Sequence, residues 1–171
     1  DQLVYAVKML DSTVRCRLRI YVFGEGSERE ALSRLIDSLG LSSVIFLLGS
    51  VPGALLRRCL IRFDGGLLIL KNLPEFYYGT SPNKFFDYIA AGLPVLNNYP
   101  GWLAGMINEH ACGFALEPDD PQAFADALEQ AADDRALLVE MGNNARLLAE
   151  NEFDRIELSN HFVDWLEGTV E

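Results

Sequence analysis

The run Thr80-Ser81-Pro82-Asn83-Lys84 has the residue types of a helix start built to hold an anion. Ser81 suits the N-cap, and Pro82 at the first helical position has no N–H to waste. The free amides of Asn83 and Lys84 would then sit at the positive end of the helix dipole and face phosphate oxygens, with the Lys84 ammonium adding a point charge. Asp87 falls one turn further on, on the Asn83 face by the i,i+4 rule. A carboxylate there can accept two ribose hydroxyls, as an acid does in dinucleotide-binding folds. It can equally be a solvated helix-face residue favoured near a positive dipole end, and the residues alone leave both readings open.

Gly24-Glu25-Gly26 follows an apolar run, and its missing side chains let the backbone turn tightly and approach a ligand. A dinucleotide fingerprint would need a third glycine at 29, where the chain has Arg29, so hydride transfer is not supported. A plain strand-to-helix turn remains the alternative. Cys16, Cys59 and Cys112 lack metal-ligand spacing and read as buried small hydrophobes of a reducing compartment; no zinc or other metal site is expected. His110 and His161 have no partner nucleophile at a recognisable elbow, so both read as surface or helix-end residues and a hydrolase triad is not expected.

The elements that position these residues alternate along the chain. Leu18 to Phe23, Val44 to Leu48, Gly66 to Leu70, Pro94 to Leu96 and Phe114 to Leu116 are short apolar runs that read as buried strands. Between them lie helical patterns. Ser27 to Leu39 carries a capping box of Ser27 and Glu30. Further helices cover Ala54 to Cys59, Pro82 to Ala91 and Trp102 to Glu109. Others begin near Pro121, Arg135 and Arg155, with those of the C-terminal segment expected on one side of the sheet. Phe85, Phe86 and Ile89 are read as packing the helix after Pro82 against the sheet. Apolar strands separated by helices imply an α/β fold, a doubly wound, Rossmann-like parallel sheet with a helical C-terminal segment. In such a sheet ligands bind beyond the carboxyl ends of the strands, where both glycine and proline motifs fall.

With 171 residues the chain fits one core, and 25 acidic against 14 basic side chains give a net charge of −11. That field repels nucleic acid, so no nucleic-acid partner is expected, although backbone amides can still bind a small phosphate ligand locally. No apolar run is long enough to span a bilayer and no leader is recognised, so a soluble, cytoplasmic chain is expected.

In order and spacing, LRIYVFGEGSEREAL, VIFLLGSVP, GGLLIL, SPNKFFDYIAAGLPVL, CGFALEPDDPQAFADAL and MGNNARLLAENEFD resemble the C-terminal domain of glycosyltransferase family four, over about residues 17–166. SPNKFFDYIAAGLPV, with NNYPGW after it, resembles the transferases that build bacterial O-antigen and capsule sugars. The resemblance implies a GT-B fold and a retaining, metal-independent transfer of a hexosyl or N-acetylhexosaminyl group. The donor would be a nucleotide sugar, UDP-linked ahead of GDP-linked, and the acceptor a cell-surface polysaccharide, lipopolysaccharide or lipid-linked precursor. It implies that Gly24 and Gly26 line the nucleotide cleft, that backbone near Val51 touches the base, that Asn83 and Lys84 hold the diphosphate, and that Asp87 replaces a ribose-binding Glu. No cofactor beyond the donor is implied.

Two departures qualify this. The family's first paired glutamate would fall at 79, which is Gly79, leaving Thr80, Ser81 or a main-chain group to take its contact. The chain also opens, over Leu3 to Leu10, in what resembles the helix after the family's first strand, so a single domain over 1–171 is expected, shortened at its N-terminus. Its first strand and partner acceptor domain would lie outside it, and the piece alone should not transfer sugar. The full-length enzyme would be cytoplasmic or peripheral on the inner face of the plasma membrane. A sugar-nucleotide epimerase of the same architecture and a non-catalytic nucleotide-binding or interaction module are the alternatives.

Overall fold

Five parallel strands alternate with helices in the computed structural model, which describes residues 1–168. The helices α1 Gln2–Met9 and α2 Ser12–Arg15 lead into β1 Ile20–Phe23, then α3 Arg29–Ser38, β2 Ile45–Leu48, α4 Gly53–Leu60 and β3 Gly66–Leu68. A single 3-10 turn at Pro74–Phe76 precedes α5 Asn83–Ala90, β4 Val95–Asn97, α6 Trp102–Glu109 and β5 Gly113–Ala115. The chain then runs through α7 Pro121–Asp133, α8 Arg135–Glu152 and α9 Arg155–Leu166. Every strand lies within a residue or two of an apolar run in the sequence. The short α2 and the 3-10 turn were not foreseen, because neither buries enough apolar surface to leave a period.

Strand β1 pairs with β2 from Ile20 opposite Ile45, while β4 lies between β3 and β5, with Leu96 opposite Leu67 and Phe114. The ladder is therefore interrupted, as two strands and three, and β1 and β3 are the edges that face the break. Alternate residues of the three-stranded piece feed two separate cores. Leu67, Leu96 and Phe114 join a core with Val4, Val7, Ile20, Ile36, Ile45, Phe124 and Leu128, whereas Leu68, Val95 and Ala115 join one with Phe85, Ile89, Leu103, Ile107 and Leu148. Because successive strand side chains point to opposite faces, these cores lie on opposite faces of the sheet, which is the doubly wound arrangement.

The last helices do not share one side. Helix α7 packs on α1 in the first core and α8 packs on α5 in the second. The chain crosses over at Asp134, whose carboxylate accepts from the Leu137 amide and starts α8 immediately after α7 ends. In α9 none of the residues is buried, and Ile156, Phe162 and Trp165 are exposed. No helix of the described residues is long and apolar enough to cross a membrane.

Burial also sorts the cysteines. Cys112 is fully enclosed, Cys59 half-buried and Cys16 exposed, so the reading of all three as buried fails for Cys16. Its thiol lies instead at the end of α2, where it donates to the Thr13 carbonyl at 3.1 Å.

Candidate functional site

The break in the sheet holds a cavity of about 1090 Å³. All four residues of β1 line it, with Gly65, Gly66, Leu67 and Ile69 from the β3 side and Lys84, Asp87 and Tyr88 from α5. Parallel strands point alternate backbone groups to alternate sides. The Ile20 amide donates to Val44 ahead of β2 and the Gly24 amide to Leu48 at its end, and the Gly66 amide donates to Pro94 ahead of β4, so the backbone groups of Tyr21, Phe23, Leu67 and Ile69 face the cavity. The Tyr88 hydroxyl donates to the Leu67 carbonyl at 3.3 Å across this edge. Its ring lies flat on Gly66, where any Cβ would fall inside it, so glycine is needed there. Burial first, and the neighbouring Asp87 carboxylate second, push the Tyr88 phenol above the ordinary tyrosine value and keep that proton in place.

Helix α5 begins one residue later than its sequence suggests. Pro82 has φ −74° and ψ 124° and is itself the N-cap, without a side-chain capping bond, so Ser81 does not cap the helix. Proline fixes φ, and an extended ψ at Pro82 moves the first helical residue to Asn83 and carries the Ser81 hydroxyl out of reach of the first turn. The consequence expected for Asn83 and Lys84 survives the shift. The Phe85 amide is taken by the Pro82 carbonyl at 3.0 Å, while the amides of Asn83 and Lys84 find no acceptor among the described residues. Both residues are exposed, as is Asp87.

The loop leading to α5 is fixed from several sides. The Thr80 amide donates to the Phe76 carbonyl and its carbonyl accepts from the Trp102 indole, each at 3.0 Å. Both main-chain groups of Thr80 thus have protein partners. Asn98 holds the Leu70 backbone through both amide atoms and donates to Gln2 at 2.6 Å. Asp119 accepts from Asn72 at 2.7 Å and from Gln2, while the Tyr77 hydroxyl bonds Asn72. Gly79 is exposed, and a Cβ there would meet nothing within 4 Å, so a side chain fits where the chain has none.

The glycine turn lies at the end of β1. Gly24 has φ +134°, a conformation that favours glycine, and Gly26 accepts from the Arg29 amide at 3.1 Å. The expected Ser27 and Glu30 capping box is not formed: α3 starts at Arg29, two residues after Ser27, with Glu28 as its N-cap and no side-chain cap, and the Gly26 carbonyl takes the Arg29 amide. Gly49 to Val51 form the matching turn after β2, with Val51 half-buried ahead of α4. Lys84 and Asp87 thus share the cavity with Phe23. Gly24, Gly26 and Val51 lie past the ends of β1 and β2, Thr80, Ser81 and Asn83 stand at the start of α5, and none of these six lines the cavity. The sequence reading missed Tyr88 and the Asn98–Gln2–Asp119 network, whose partners lie up to 117 residues apart and leave no local signal.

The sequence matches the family model described as glycosyl transferases group 1 over residues 1–148. No curated protein matches it. Among solved structures, WaaG, a glycosyltransferase involved in lipopolysaccharide biosynthesis, is similar with a TM-score of 0.74 and 21% identity, over 90% of this chain and 39% of that one. The Anabaena Alr3699/HepE protein, solved with UDP, gives 0.82 and 17% over 98% of this chain and 44% of that one. TarM of S. aureus, whose crystals hold UDP, gives 0.73 and 16% over 96% and 32%. At these identities the likeness is one of fold, and this chain spans less than half the length of each protein.

Proposed function

The chain belongs to the glycosyl transferases group 1 family, and from that premise we propose that it is the donor-nucleotide-binding domain of a retaining, metal-independent GT-B glycosyltransferase. The observation that carries this is the first turn of α5: two amides without an acceptor among the described residues, with Lys84 and Asp87 both exposed on the same helix. Amides and a lysine at a helix N-terminus stabilise the negative charge that develops on a departing diphosphate without a metal. Asp87 would hold the ribose and Gly24, Gly26 and the backbone near Val51 the base, with Thr80 and Ser81 toward the sugar.

The donor is a UDP-sugar ahead of a GDP-sugar, carrying a hexosyl or N-acetylhexosaminyl group to a polysaccharide, lipopolysaccharide or lipid-linked precursor on the cytoplasmic side of the membrane. UDP and UDP-glucose in the Alr3699/HepE structures and the lipopolysaccharide role of WaaG support this choice. An acceptor domain elsewhere in the protein would complete the site on closure and exclude water. Residues 1–171 alone would bind donor weakly and transfer nothing.

In the same reading a further parallel strand, leading into Asp1, fills the break between β1 and β3. Asp1 is on the cavity wall, and α1 would then be the crossover between that strand and β1. The order would become β2, β1, new strand, β3, β4, β5, with the ligand at the switch point beside it.

Calorimetric titration of the full-length protein with UDP and GDP tests the proposal. Binding with UDP preferred, and a loss of roughly tenfold or more in Asp87→Ala on the scale of a charged hydrogen bond, is the expected result. Absence of nucleotide binding, or an unchanged affinity in Asp87→Ala, overturns it. Gly79 is the observation that favours a second reading, a nucleotide-binding module without transferase chemistry, and a product assay with UDP-sugar and acceptor decides between them.

A further inference from the structure

We infer that Arg29 is a positioning residue that sets the separation of the two glycine turns at which the nucleoside end of the donor is held, an inference that rests on the donor-binding reading above. Arg29 is the first residue of α3 and half-buried. Its Nη1 donates to the Gly24 carbonyl at 3.2 Å and to the Leu48 carbonyl at 3.0 Å, and its Nη2 donates to the Leu47 carbonyl at 2.9 Å. One side chain thus spans the ends of β1 and β2. The Leu48 carbonyl also accepts from the Gly24 amide at 3.3 Å, so main chain and guanidinium close the same gap.

Gly24 lies beyond the end of β1 and Leu47 turns its carbonyl to the side of β2 away from β1, so neither carbonyl has a strand partner, while that of Leu48 keeps a second lone pair beside its bond from the Gly24 amide. A planar fork with five N–H groups can meet three of them at fixed angles, which a lysine ammonium on a flexible stem does not reproduce. Arg29 Nε is 3.8 Å from Glu25 Oε2, and Glu25 Oε1 lies 3.1 Å from where a Cβ on Gly49 would stand. The guanidinium therefore also directs the Glu25 carboxylate from the first turn onto the second. Three donor contacts and an ion pair commit this cation to the protein, so it acts on the ligand through the turns. The diphosphate end is held on α5, beyond the break in the sheet, and has no contact with Arg29.

The consequence is a split between the two ends of the donor. In the full-length protein, Arg29→Lys and Arg29→Ala are titrated with uridine, UDP and inorganic pyrophosphate, and the donor KM and kcat are measured. The expected result is a loss of about tenfold or more for uridine and UDP, with pyrophosphate within about twofold of wild type, KM raised and kcat at saturating donor retained. Arg29→Lys keeps the charge and most of the stem, so it reports even if Arg29→Ala fails to fold. Uridine affinity unchanged in Arg29→Lys, or uridine and pyrophosphate falling together, overturns the inference. A wild-type protein that binds neither UDP nor pyrophosphate overturns the donor reading and this inference with it.

Discussion

Burial separates Cys112 from Cys16 in reactivity as well as position. Enclosure pushes the Cys112 thiol up to about 11, so at pH 8 it stays protonated and inert, while Cys16 is open to solvent. Iodoacetamide at pH 8 should therefore modify Cys16 in the native protein and Cys112 only after unfolding, as peptide mass analysis would show. The same shift has a stability consequence. A thiol whose pKa is higher folded than unfolded favours the folded state below the ordinary thiol value of 9.0, and that contribution is lost as pH rises toward about 11. Thermal denaturation should show a midpoint that falls across this alkaline interval less steeply in Cys112→Ala. At this scale the sequence was informative where a residue acts through its own chain neighbours. Asn83 and Lys84 were legible because adjacent residues define a helix start. The role of Arg29 was not, since the absence of a third glycine says what the turn is not, while its three acceptors depend on how β1 meets β2.

Helix starts divide into those held by a carboxylate and those that are not. Asp120, Asp134 and Asp154 each accept first-turn amides of α7, α8 and α9, whereas α5 begins at Pro82 without any such bond. Asp134→Ala should lower stability by about 1 kcal/mol, visible as a shifted denaturant midpoint at constant slope. Ser81→Ala should leave that midpoint within ~0.5 kcal/mol. A Ser81 effect as large as that of Asp134 would mean that the hydroxyl caps α5 after all. Phe85 and Ile89 are fully buried in the core beneath α5, and Phe85→Ala should cost about 3–5 kcal/mol by cavity formation. Strands and helices were readable because each carries a periodic apolar signal. Their starts were less so, because serine before an apolar stretch fits several helix phases and the ψ of Pro82 decides which is used. Phe86 packs against the same core, as its apolar type suggests, but its ring partners Trp102 and Phe153, from α6 and the end of α8, leave no local signal.

For the whole molecule, the doubly wound class followed from apolar runs too continuous for a half-exposed sheet. The break between β1 and β3 left no trace in those runs, since an edge strand and an internal one can have the same composition. Hydrogen exchange probes the break directly. In a chain extended before Asp1, the amides of Tyr21 and Leu67 should exchange far more slowly than in residues 1–171, because a strand between β1 and β3 would accept both. Equal rates in the two chains would leave that strand without support. The placement of α7 and α8 on opposite faces was likewise hidden, as an apolar stripe specifies burial but not which side of a sheet provides it.

Helix α9 has twelve residues and none of them is buried. A segment of that length has little helicity of its own in water. Within residues 1–171 its amides should therefore open without the rest of the fold, and its loss should leave the global unfolding free energy nearly unchanged. Trypsin at Arg155 would be the first cut, releasing the end of the chain from a remainder that melts at the same temperature as before.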